Sequence, residues 1–126
     1  MKKIVRSVLL IEPDEFLASI YEKNLEMEDF QVTRIINPER AFKLASTKKF
    51  HAIILEISLP QGDGFDLLKI FKEDKQTKNI PVIVLTKLGG KNEIMKIWQY
   101  GADDFLIKQH FKPSEVVDKL KRILAK

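Results

Sequence analysis

A doubly wound α/β fold on a five-stranded parallel sheet is what this sequence predicts, and three observations carry it. Short apolar runs alternate with helical patterns five times along the 126 residues. The runs are too uniformly apolar for strands with one wet face, so helices must cover both faces, as in parallel sheets. Charged or hydroxyl residues stand at the carboxyl ends of four of the runs, where open α/β sheets place their polar sites.

The elements follow in order. Residues 5–11 form the first strand, and Asp14 caps a helix whose inward positions include Leu17, Ile20, Tyr21 and Leu25. Asp29 marks the end of that helix, and residues 32–36 form the second strand. Pro38 sits in the first turn of the next helix, with Ala41, Phe42, Leu44 and Ala45 leaning inward. Residues 52–57 are the third strand; Gly64 closes the loop after it, and residues 65–71 form a short helix. A fourth strand spans 81–85, since proline is tolerated at a first position. The helix at 91–100 ends at Gly101, a natural left-handed stop. Residues 105–107 are a brief fifth strand, and Pro113 opens a last helix carrying Val116, Val117, Leu120, Ile123 and Leu124. No linker or low-complexity tract interrupts the pattern, so residues 1–126 read as a single domain.

Composition narrows the function classes. The chain is 44% hydrophobic and 32% charged, which suits a globular protein rather than a disordered or membrane one. It has no cysteine, so disulfides, thiol catalysis and cysteine-held metals are excluded. Met1-Lys2-Lys3 resembles the basic start of a signal peptide, but the apolar run after it stops at Glu12, too soon for a signal core. No segment approaches the roughly 18 apolar residues that span a bilayer. A cytoplasmic protein without membrane contact is the expectation. The net charge of +4 comes from scattered lysines without interleaved aromatics, so direct nucleic-acid binding is not expected.

The strand ends carry the chemistry. The first strand runs into Glu12-Pro13-Asp14, the third ends at Glu56, the fourth at Thr86 and the fifth at Lys108. Two to three carboxylates, a hydroxyl and an ammonium therefore converge from distant parts of the chain. Any one alone has a dull explanation, such as a cap or a surface charge. Joint placement at adjacent strand ends points to a site.

These residues, within "VLLIEPDEFL" (8–17), "AIILEISLPQGDGFDLL" (52–68), "IPVIVLT" (80–86) and "GADDFLIK" (101–108), resemble the receiver domain of two-component response regulators, over nearly the whole chain. The resemblance implies a flavodoxin-like (CheY-like) fold with strand order 2-1-3-4-5. It implies an acidic pair after the first strand that helps hold Mg²⁺ and an aspartate after the third that takes phosphate from a histidine kinase. It also implies a Thr or Ser and a Lys that bind the phosphoryl oxygens, and an aromatic on the fifth strand that moves with the switch. Glu12 matches the first acid, and Thr86, Phe105 and Lys108 match the phosphoryl-binding and switch positions.

Three positions depart from that pattern. Pro13 replaces the second acid and offers no side-chain oxygen to a hard cation. Glu56 replaces the phosphoacceptor, and its extra methylene moves the carboxylate by about 1.5 Å, the scale on which phosphoryl transfer depends on positioning. Gln109 follows Lys108 where the family has a cis proline; a non-proline cis bond costs about 3–4 kcal/mol, so a trans bond or a rebuilt loop is expected. Metal and acceptor are thus altered together, which suggests a degenerate pseudo-receiver: no cofactor, with Mg²⁺ weak or absent on Glu12, Glu56 and the Ser58 carbonyl. Glu56, a fixed anion, would pair with Lys108 directly or through one water, at little gain if the pair is wet. The rival is a receiver that still accepts phosphate, with Asp14 standing in for the missing acid.

The expected activity is protein–protein interaction with a signalling partner, not enzyme catalysis; no Ser–His arrangement supports a hydrolase. His51 and His110 lack helical metal-binding spacing. "QGDG" (61–64) is a turn without a P-loop ending, and "KLGGKNE" (87–93) is a flexible loop. Ile94, Met95, Ile97, Trp98 and Tyr100 crowd the fourth helix beyond what one buried stripe can hold. The resemblance makes that helix, the fifth strand and the fifth helix an output surface. Met95 and Trp98 are its candidate contacts, and a homodimer through it is a further expectation.

Overall fold

The computed structural model describes residues 5–87 and 89–125. The basic start at Met1-Lys2-Lys3 and Leu88, within the loop expected to be flexible, lie outside the described residues.

Five strands and five helices alternate: β1 (Arg6–Ile11), α1 (Glu15–Met27), β2 (Phe30–Arg34), α2 (Pro38–Thr47), β3 (Ala52–Glu56), α3 (Gly64–Glu73), β4 (Val82–Thr86), α4 (Lys91–Gln99), β5 (Asp104–Ile107) and α5 (Pro113–Leu124). All strand pairs are parallel, in the order β2-β1-β3-β4-β5. Side-chain alternation divides the sheet into two buried layers. Leu9, Ile11, Ile53, Leu55, Val82 and Val84 join residues of α2, α3 and α4. Val8, Leu10, Ile54, Ile83 and Leu85 join residues of α1 and α5. The central strands β3 and β4 are buried at every position, which is why they read as continuous apolar runs.

The cap at Asp14 forms as the sequence indicates, and the structure adds a second at Asn37. Asp14 Oδ1 accepts from the Leu17 N–H at 3.0 Å, and Asn37 Oδ1 accepts from the Arg40 N–H at 3.0 Å, with Pro38 in the first turn of α2. After α1 the chain turns at Asp29, whose φ of 68° is the left-handed geometry a short polar residue tolerates.

Two elements sit differently from expectation. β2 covers residues 30–34 rather than 32–36: the tight turn after α1 brings Phe30 straight into register with Arg6, and Phe30 is buried in the α1–α5 layer. The helix α3 begins at Gly64 and runs to Glu73, longer than the expected 65–71. Gly64 is packed against the backbone of Ile57; a Cβ there would lie 2.2 Å from the Ile57 carbonyl oxygen, so only glycine lets the loop close this tightly.

Candidate functional site

The strand registers place the polar residues at one level. Ile11 pairs with Leu55, Glu56 with Leu85 and Thr86 with Ile107, so Glu12, Glu56, Thr86 and Lys108 stand together along the carboxyl edge of the sheet. Lys108 opens a single 3-10 turn, Lys108–His110, between β5 and α5, and no cis peptide bond occurs among the described residues.

Lys108 lies between two carboxylates. Its Nζ is 2.5 Å from Glu12 Oε1 and 2.6 Å from Glu56 Oε1. The three side chains are 7%, 1% and 3% exposed for Lys108, Glu12 and Glu56, so the cluster is dry rather than the wet, low-value pair considered from sequence. The outer carboxylate oxygens are also engaged. Glu12 Oε2 accepts from the Asp14 N–H at 3.1 Å, and Glu56 Oε2 accepts from the Ser58 N–H at 3.0 Å. Glu12 Oε1 is enclosed and makes no directed hydrogen bond; the ammonium is its ion-pair partner. Ser58 thus serves the cluster through its N–H. Thr86 is fully buried beside it.

Asp14 is exposed and caps α1. The Leu17 N–H bond is the main cause that holds its carboxyl below the usual range; desolvation opposes this, and the Phe16 N–H, Lys108 and Lys87 reinforce it. Tyr21, on the inner face of α1, has its phenol pushed up, by burial first and then by the charges of Glu12, Glu56 and Asp14. Pro13 contributes backbone only, and that backbone is held from a direction the sequence did not reveal. Arg34, at the end of β2, donates from Nε to the Glu12 carbonyl at 2.9 Å and from a terminal nitrogen to the Pro13 carbonyl at 3.1 Å. The signal, an arginine closing an apolar strand, was masked because the expected strand continued to residue 36.

Mg²⁺ fits this donor set poorly. Both inner oxygens face an ammonium, both outer ones accept backbone N–H groups, and Pro13 supplies no side-chain oxygen. Among the described residues no group of three His, Cys, Asp or Glu is arranged to hold a metal. His51 is tied into the fold, its Nδ1 accepting from the Ser7 N–H at 3.0 Å.

Away from the edge, Phe105 and Trp98 meet edge to face, with ring centroids 5.5 Å apart. Trp98 is 49% and Met95 51% exposed, and Ile97 is the buried residue of α4. The apolar excess of α4 therefore lies on the surface rather than in the core.

The model of the response regulator receiver domain matches residues 8–121. The chain belongs to this family. It is a receiver of the two-component type, a class of signalling module. It is 31% identical over 117 residues to the transcriptional regulatory protein SrrA of Staphylococcus aureus, covering 93% of this chain and 47% of SrrA. The receiver thus spans about half the length of the curated relatives it matches. The signal receiver domain of a signal transduction histidine kinase from Syntrophus aciditrophicus superposes with a TM-score of 0.86 at 28% identity, over 95% of this chain and 90% of the other. The chemotaxis response regulator CheY4 of Vibrio cholerae shares the fold, with a TM-score of 0.86 at 22% identity over 95% and 99% of the two chains. No helix among the described residues is long and apolar enough to cross a membrane.

Proposed function

We propose that this receiver signals without phosphorylation, as a protein–protein interaction module whose phosphoacceptor pocket is already filled from within. One observation supports this above all others: the Lys108 ammonium lies between Glu12 and Glu56 at 2.5 and 2.6 Å. A group that would bind phosphoryl oxygens is thereby occupied by the residue standing in the acceptor position. To accept phosphate, Glu56 would have to leave both Lys108 and the Ser58 N–H, in a pocket that offers a bridging Mg²⁺ few oxygens. Mg²⁺ binding is accordingly weak, and activity lies in surface contact rather than catalysis. The half-exposed Met95 and Trp98, with Phe105 behind the indole, form the contact surface for a signalling partner or a second copy.

Acetyl phosphate with Mg²⁺, followed by intact mass measurement, tests the reading. The expected outcome is an unchanged mass for the native chain. Phosphate labelling is expected to return in the double variant Glu56→Asp with Pro13→Asp, and far less in either alone. A phosphorylated native species that disappears in Glu56→Gln defeats the proposal.

A further inference from the structure

The helices α2 and α3 do not close against each other at their outer ends. Between them lies a groove of about 660 Å³, reached from the 61–63 turn. Its walls are Pro38 and Phe42 of α2 and Leu67 and Ile70 of α3. The walls are fixed rather than loose: the Phe42 ring packs on Phe71 at 6.2 Å, and Leu67 belongs to the core. Ile70, 47% exposed, forms an apolar lip.

The rim has one sign of charge. Glu39, Asp63 and Asp66 line it, all exposed, and no lysine or arginine does. None of the three makes an ion pair among the described residues, although Asp63 Oδ1 caps α3 by accepting from the Phe65 N–H at 2.8 Å. On a chain of net charge +4 this is a local reversal of sign. An apolar cleft whose acidic rim lacks a counter-cation complements a bulky apolar side chain flanked by cations. A second copy of this chain suits it badly. A two-fold contact through the groove, the commonest homodimer arrangement, would set one acidic rim against another.

We infer that the α2–α3 groove docks a basic segment of a partner protein, with an apolar anchor between Phe42 and Ile70 and Lys or Arg side chains on Glu39, Asp63 and Asp66. The groove shares no residue with the Lys108 pocket, so this surface stands or falls apart from the phosphorylation reading.

Two short synthetic peptides test it: a phenylalanine flanked by lysines, and the same peptide with glutamate for each lysine. Each is titrated into the ¹⁵N-labelled chain and followed by NMR. The lysine peptide is expected to shift amides of α2, of residues 61–63 and of the first turns of α3, and to bind more weakly as salt rises. Its affinity is expected to fall about tenfold in Glu39→Lys with Asp66→Lys, two exposed changes whose fold is checked by circular dichroism. Failure of the lysine peptide to bind, equal binding of both peptides, shifts confined to other surfaces, or unchanged affinity in the double variant overturns the inference. A dimer of the native chain that the same variant dissolves also overturns it, by giving the groove to a second copy.

Discussion

At the scale of single residues, the pocket is an unequal contest of charges. One ammonium faces two buried carboxylates, so its removal and the removal of one acid have different consequences. Lys108→Met leaves Glu12 and Glu56 buried side by side without a counter-charge and is expected to cost about 3–5 kcal/mol. Glu56→Gln leaves Lys108 paired with Glu12 and relieves the crowding of like charges, so its cost is expected to be much smaller. Urea unfolding of the two variants measures the difference, and equal losses would mean that the pair with Glu56 dominates. Tyr21 reports the same cluster from below. Its phenol is raised by burial and by the nearby acids, so the folded state keeps it neutral where the unfolded chain ionises, above about pH 10. Tyr21 therefore contributes stability fully below that pH, and the contribution is lost as pH rises through the folded value. Absorbance titration of the folded chain should show a late tyrosine ionisation that Tyr21→Phe removes. Asp14 acts at the other end of the scale. Its lowered value gives a contribution present above the ordinary carboxylate range and lost on acidification through the folded value.

At the scale of elements, strand ends and loop backbones matter more than side chains alone. Arg34 joins the end of β2 to the loop between β1 and α1, holding two successive carbonyls and, through them, the direction in which Glu12 points. Arg34→Met is expected to cost about 1.5–3 kcal/mol, the worth of hydrogen bonds to a charged donor, and to speed hydrogen exchange at the Asp14 amide, which donates to Glu12. Exchange unchanged from the native chain would show that the loop holds itself. The element scale is also where sequence reading met its limit. The cap at Asp14, the stop at Gly101 and the apolar strands could be read directly, because local chemistry decides them. The end of β2 could not, since Val32, Ile35 and Ile36 continue the apolar pattern past the point where the register with β1 stops. A strand running to residue 36 hides Arg34 in its interior, away from the edge of the site. The role of Gly64 in closing the loop before α3 was legible, but its reason, contact with the Ile57 backbone, was not.

At the scale of the whole molecule, the order β2-β1-β3-β4-β5 turns remote positions into neighbours. The convergence of Glu12, Glu56, Thr86 and Lys108 was legible from the sequence because a parallel sheet fixes which ends meet. The dryness of that meeting was not, since burial depends on how α1, the 57–63 loop and the turn after β5 close over it. The groove between α2 and α3 was hidden for the same reason: helix spacing leaves no periodic mark in a sequence. The enclosure of Lys108 has a further consequence for covalent reactivity. On a lysine-rich surface most amines are open to an acylating reagent, but the Lys108 side chain is 7% exposed and its amine is engaged on two sides. It is expected to be among the last to be labelled, and at a rate set by opening of the pocket rather than by the reagent. Time-resolved amine acetylation read by peptide mass spectrometry would then serve as a clock for that opening. Glu56→Gln should make the clock run faster. Prompt labelling of Lys108 in the native chain would mean that the pocket opens freely in solution, and would count against the proposal that it is filled from within.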